Sequence, residues 1–349
     1  MKIRALHIRT LILAGTVTIL TSAVMAQSPA VGPTPTPSPK VSPTPRLEDQ
    51  EIKIDTELVN ISVRVVDRNN RPVNNLAQSE FKIFEDGVPQ QIDFFSKAEV
   101  PANYSLVIDN SGSLRPQIEQ VIEAGKILVA ANRQDDETAV IRFVSSDKIE
   151  VLQEFTKSKT DLNDALDNMY IEGGQTAIID AVYLAVGRLN EQQTPQKDLD
   201  RTRRAIILVT DGEDRSSYYS EAQLLELLKE SDVQIFVVGF IKDLSSEKGF
   251  ISKSPQGKAK AFLERLSGAT GGKAYFPATA NELASIAKDI ASELRTQYSI
   301  GYIPSNDRKD GTFRNIKVSV NDGPNSQKRI AITKAGRIAE KEGAPPKVN

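Results

Sequence analysis

The sequence predicts an α/β protein: a doubly wound, mostly parallel sheet of Rossmann-like type, inserted in or flanked by a small β-sandwich. Three observations carry that expectation. From Tyr104 to Gln297, strand-like apolar runs alternate with segments of helical spacing. Runs such as "AIILV" and "IFVVG" are apolar on both faces, as central parallel strands covered by helices are. On each side of that stretch lies a shorter segment with two-residue alternation, too small to bury its own face.

The elements follow in order. "MKIRALHIRT" carries Lys2, Arg4 and Arg9, and the apolar "LILAGTVTILTSAV" and then "MAQ" come after it. This is the three-part pattern of a secretory signal peptide over residues 1–26, with cleavage near Ala26. The apolar run is shorter than the ~20 residues of a spanning helix. The chain is therefore expected to be secreted or periplasmic, with no stable membrane span after signal cleavage. Residues 27–50 alternate proline with small polar residues and read as an extended linker.

Residues 51–99 read as β. "TELVNISVRVVD" alternates, and "SEFKIFEDGVPQQIDFF" reads as short strands joined around Asp86-Gly87. Residues 100–297 form the α/β unit. Its strands are "YSLVID", "ETAVIRFV", "KIEVLQEF", "RAIILVTD", "VQIFVVGF" and "KAYFPA". The second and third are joined only by "SSD", too short for a crossover, so one edge holds an antiparallel hairpin. Residues 298–338 return to β in "YSIGYIP", "FRNIKVSV" and "QKRIAITKAG". Residues 339–349 read as a disordered tail.

Composition removes several function classes. The 349 residues include 44 basic and 46 acidic side chains, a balance with no nucleic-acid footprint. There is no cysteine, and the one histidine, His7, lies in the leader. A mature chain without either has no Ser-His-Asp or Cys-His catalysis and no histidine-held or thiolate-held zinc. Any metal must be held by oxygen, which favours magnesium, manganese or calcium.

Two parallel strands end in an aspartate, "SLVID" in Asp109 and "IILVTD" in Asp211. Open parallel sheets bind ligands at the carboxyl ends of their strands, where the strand order reverses. The turn after Asp109 presents residues 109, 111 and 113 to one point, so Ser111 and Ser113 add two hydroxyls. Gly173 and Gly174 permit an unusual loop, after which Thr176 opens a helix. Asp109, Ser111, Ser113, Thr176 and Asp211 together make a small oxygen cage for a hard cation. The "RTRR" cluster before "AIILVTD" reads as a solvated approach at the opposite end of the sheet. Glu213, Asp214, Arg215, Tyr218 and Tyr219 read as a solvated loop at the rim.

In their order and spacing, "DNSGS", "GGQT" and "TDG" resemble the metal-ion-dependent adhesion site (MIDAS) of von Willebrand factor type A (VWA) domains. The resemblance covers residues from about 100 to 297. The flanking "FKIFEDGVPQQIDFF" and "YSIGYIPSN" segments resemble those of secreted von Willebrand-type proteins of acidobacteria. The resemblance implies that Ser111, Ser113 and Thr176 contact the metal directly and that Asp109 and Asp211 act partly through water. It also implies that an acidic side chain of a protein partner completes the coordination.

The expected function is thus a non-enzymatic module binding a protein partner through Mg2+ (or Mn2+/Ca2+). Two alternatives stand beside it. One is a structural envelope protein whose metal only stabilises the fold. The other is a magnesium-dependent phosphoryl-transfer enzyme. That chemistry usually needs a second carboxylate two positions after the first, where this chain has Ser111, a side chain that cannot act as general acid near neutral pH. The loop "IKDLSSEKGFISKSPQGKA", residues 241–259, leaves a strand at its carboxyl end and is a candidate specificity element by position alone.

Overall fold

The computed structural model describes residues 58–69, 71–192, 202–242, 244 and 254–341. The expected signal peptide and linker, most of the 241–259 loop and residues 342–349 of the expected tail lie outside them.

The described chain opens with β1 (Val59–Asp67), β2 (Phe81–Glu85), β3 (Val88–Gln90) and β4 (Phe94–Ser96). The α/β unit then runs β5 (Ala102–Asp109), α1 (Ile118–Ala130), β6 (Glu137–Phe143), β7 (Ile149–Thr156), α2 (Lys159–Asp167) and α3 (Ile178–Glu191). It continues with β8 (Arg203–Thr210), α4 (Glu221–Glu230), β9 (Val233–Gly239), α5 (Pro255–Ala269), β10 (Ala274–Tyr275) and α6 (Leu283–Arg295). The chain returns to β as β11 (Tyr298–Tyr302), β12 (Phe313–Val320), β13 (Arg329–Ile332) and β14 (Gly336–Ile338).

Among the described residues the central sheet has six strands in the order β10-β9-β8-β5-β6-β7. All neighbours are parallel except β6 and β7, which form the edge hairpin that the short "SSD" link requires. Helices α1, α2 and α6 cover one face, around Leu106, Ile108, Ile207 and Phe236. Helices α3, α4 and α5 cover the other, around Val107, Ile141, Ile206 and Val237. Strands β5 and β9 are buried along their whole length and β8 at every residue but Arg204, which is why their sequences show no polar alternation.

Local chemistry fixes the helix ends. Ser220 and Gln223 make a reciprocal capping box at α4, the Gln223 amide donating to Ser220 Oγ and the Ser220 amide to Gln223 Oε1. Ser254 Oγ accepts from the Gly257 amide, and Pro255 takes the first position of α5. This helix therefore begins inside the segment expected to be loop through residue 259. The Ser-Pro pair is a helix start there, and the missing proline N–H costs nothing in the first turn.

Two four-stranded sheets, β13-β1-β11-β4 and β14-β12-β2-β3, build the β-sandwich. Each mixes strands from both sides of the α/β unit: β1 pairs antiparallel with β11, and β2 with β12. One core lies between them, with Val63, Val65, Phe81, Ile83, Tyr298, Ile300 and Tyr302. One carboxylate oxygen in it gathers two donors. Tyr302 donates to Glu85 Oε2 at 2.6 Å, and Arg337 Nε donates to the same oxygen at 3.0 Å. The expected tail begins later than residue 339. Ala339 is buried and its amide donates to the Thr312 carbonyl, while Lys341 bridges to Asp310, so pairing with the chain leading into β12 holds residues 339–341.

A buried ion pair joins the sandwich to the α/β unit. Arg64 on β1 reaches Glu293 on α6 at 3.0 Å, with Glu293 wholly buried. Lys273 stands 3.4 Å from the same carboxylate and 2.7 Å from Asp289. Removing one partner of such a pair strands a buried charge and costs about 3–5 kcal/mol, whereas replacing both by apolar groups is often neutral. Arg64→Met is expected to lower the urea midpoint strongly. Arg64→Met with Glu293→Met is expected to recover most of the loss, and a double variant as weak as the single one would rule out this origin of the effect. A fragment of residues 100–297 is further expected to unfold cooperatively by circular dichroism, because its core is complete without the sandwich.

Candidate metal centre

The site is set by strand pairing. Strands β5 and β8 lie side by side in parallel register, with Val107 opposite Leu208 and Ile108 opposite Val209. Both then end at the same rim, which brings Asp109 beside Thr210 and Asp211 just beyond. Thr210 Oγ1 donates to Asp109 Oδ2 at 2.7 Å, and the Ser111 amide donates to Asp109 Oδ1 at 2.8 Å. Ser113 Oγ donates to Asp211 Oδ2 at 2.7 Å and lies 2.9 Å from Ser111 Oγ. Ser111, Ser113 and Asp211 thus form one chain of hydroxyls and carboxylate across two strand ends, and the Ser111 amide ties it to Asp109.

Thr176 joins that group through its backbone. Its carbonyl accepts from the amides of Arg215 at 2.8 Å and Ser216 at 3.1 Å, on the loop that carries Asp211. The side chain is 4% exposed. The preceding loop depends on its glycines: Gly174 has φ +143°, and a Cβ there would meet Val144 Cγ1 at 2.5 Å.

Burial pushes the Asp109 carboxyl up to about 6, against the hydrogen bonds from Ser111 and Thr210 and with a smaller push from the charge of Asp211. A raised carboxyl favours the protonated form in the fold. With no compensating cation, stability from this group is full below the free value of 3.8 and falls as pH rises through about 6. A cation beside the carboxylate reverses that penalty.

Residues that sequence reasoning did not single out hold the site together. Asn110 is a staple between three loops. Its amide donates to the Phe143 carbonyl, its carbonyl accepts from the Gly173 amide, and its Nδ2 donates to the Tyr170 carbonyl. Asp180, in the first turn of α3, accepts from the Tyr218 and Tyr219 amides at 2.7 and 2.9 Å. The loop expected to be solvated is in part structural. Asp214 accepts from the Ile179 amide and Ser217 Oγ, and Tyr219 stacks on Tyr183 at 4.0 Å between ring centroids. Tyr218 alone of the two tyrosines is strongly exposed. A sequence signal for Asp180 exists only as an acidic residue in a helix's first turn, which most helices also show.

The donor set fits a hard divalent cation. It offers oxygen only, two carboxylates and three hydroxyls, and the buried Asp109 charge needs an opposite charge.

The family model described as von Willebrand factor type A domain matches residues 105–289. The chain belongs to that family. No curated protein matches the chain. Among solved structures, the VWA protein is similar to an aerotolerance-related membrane protein from Bacteroides fragilis, with 20% identity, a TM-score of 0.41, and coverage of 55% of this chain and 98% of that one. A von Willebrand factor type A protein from Catenulispora acidiphila has 11% identity and a TM-score of 0.45, covering 83% of this chain and 76% of that one. Proximal thread matrix protein 1 from the mussel byssus, with a zinc-occupied MIDAS motif, has 19% identity and a TM-score of 0.44, covering 60% of this chain and 49% of that one.

The clamp on the VWA loop gives a direct expectation. Asp180→Ala leaves two backbone N–H groups without their acceptor, at about 1–3 kcal/mol each if they stay buried. Urea unfolding should show the loss, and Asp180→Asn, which retains one acceptor, should show less. Equal midpoints for Asp180→Ala and wild type would contradict the clamp.

Proposed function

We propose that this VWA domain protein is exported by its leader and binds a protein partner through a divalent cation held by Asp109, Ser111, Ser113, Thr176 and Asp211. The observation that carries the reading is the unbroken chain from Ser111 through Ser113 to Asp211, beside the buried Asp109, at the carboxyl ends of two adjacent parallel strands. VWA proteins are generally interaction modules rather than enzymes. The cation is magnesium, with manganese or calcium as substitutes, because small hard cations suit an all-oxygen site. Bound there, it supplies a Lewis-acidic point that accepts a carboxylate oxygen from the partner. Asp109 and Asp211 supply the charge that offsets it, while the three hydroxyls supply neutral ligands.

Secretion or residence in the periplasm is part of the same reading and rests on the leader sequence. No helix among the described residues is long and apolar enough to cross a membrane. The metal is expected to matter more for the partner than for the fold, because the loops bearing the five residues are already tied by direct hydrogen bonds.

Calorimetry with magnesium tests the site. Wild type is expected to bind one ion, Asp109→Ala and Asp211→Ala to lose at least about tenfold in affinity as charge-assisted ligands, and Thr176→Ala to lose less. Equal affinity in wild type and Asp109→Ala removes Asp109 from the site. Capture of a partner from culture fluid or envelope extract should then fail in chelator. Complete unfolding of the wild type in chelator would favour the purely structural role of the metal.

A further inference from the structure

At the amino ends of β5, β8 and β9, the end opposite the metal centre, a cavity of about 180 Å³ lies between the α/β unit and the sandwich. Its volume corresponds to about six waters, and it is smaller than the ~300 Å³ or more of a drug-sized site. Arg203, Arg204 and Lys334 line it with the carboxylate Asp232, which pairs with both Lys334 and Arg204, and Asn103 and Ser231 add neutral polar groups.

Arg203 makes the cavity unusual. The sequence reads "RTRR" as a solvated approach, yet Arg203 is only 5% exposed. Its Nη1 and Nη2 donate to Gln297 Oε1 and the Gln297 carbonyl at 2.9 and 2.8 Å, both neutral acceptors. Its Nε has no hydrogen-bond partner, and no carboxylate among the described residues forms an ion pair with it. Burial pulls this guanidinium down to about 10, with Glu99 the one charge that opposes the shift. Glu99 is itself paired with Arg133. A guanidinium carries five N–H donors, and a buried one with free donors and no counter-charge is costly.

We propose that this cavity is a binding site for a small tetrahedral oxyanion, inorganic phosphate or sulfate, anchored by the uncompensated charge of Arg203. Arginine is the cation best suited to such an anion, and Lys334, on the turn between β13 and β14, offsets the charge of Asp232 that would otherwise repel it. Because Lys334 belongs to the sandwich and Arg203 to the α/β unit, the anion ties the two together. Binding to the folded state alone then raises the melting temperature. The proposal does not rest on the metal centre, which lies at the other rim of the sheet.

The test is calorimetry of the full chain with sodium phosphate, in buffer free of divalent cations and at constant ionic strength set by chloride, with thermal melts in parallel. Saturable one-to-one binding and a raised melting temperature are expected, with sulfate competing. Arg203→Gln should weaken binding by about tenfold or more, as loss of charge-assisted donors does. Lys334→Gln, at a turn, should weaken it by a smaller factor in a protein that still folds, and it decides the matter if Arg203→Gln does not fold. Absence of saturable heat and of any melting shift at millimolar phosphate would overturn the proposal. So would Lys334→Gln and Arg203→Lys both binding as wild type does, or binding of acetate with none of phosphate.

Discussion

The parallel pairing of β5 with β8 is the constraint on which the site depends. It ends two buried strands at one rim and places two aspartates there within reach of the same hydroxyls. Two carboxylates so close repel, and one of them is almost fully out of water. The fold tolerates this because Thr210, Ser111 and Ser113 donate to them, and, on the proposed reading, because a cation completes the arrangement. Stability is given up locally for charge at a defined point, as is common where a site is preorganised.

The rest of the α/β unit serves to keep that point rigid. Asn110 ties the β5 turn to the end of β6 and to the loop before Thr176. The Thr176 carbonyl, Asp180 and Asp214 tie that loop and the start of α3 to the segment after Asp211. The segments that carry the oxygens are therefore bound to one another without a cation between them. On the proposed reading a cation has little folding work left to do, and its binding energy goes to the partner. The same logic separates the two ends of the sheet: carboxylates gather at the carboxyl rim, and Arg203, Arg204 and Lys334 at the amino rim.

Much of this was legible in the sequence. Apolar runs without alternation gave away the central strands, and the short "SSD" link required the edge hairpin. Asp109, Ser111, Ser113 and Asp211 stand at two strand ends that meet at one rim, whereas Thr176 is tied to them through its carbonyl. Less legible was what depends on tertiary contact. Asp180 looks like any acidic residue in a first turn until the Tyr218 and Tyr219 amides meet it. Arg203 looks like part of a basic surface run, and only the packing of the sandwich and Gln297 against it takes it out of water. Residues 339–341 carry a tail-like composition, and their pairing near Asp310 is set by a segment about thirty residues away. The start of α5 was visible as Ser254-Pro255, but the polar stretch before it obscured the signal.

The central claim is that one cation sits among Asp109, Ser111, Ser113, Thr176 and Asp211. Anomalous diffraction from crystals grown with manganese tests it most directly, because the ion reports its own position. A single strong peak is expected within coordination distance of the Ser111 and Ser113 hydroxyls, between the strand ends of β5 and β8. A peak elsewhere on the protein, with that position empty at saturating manganese, would contradict it.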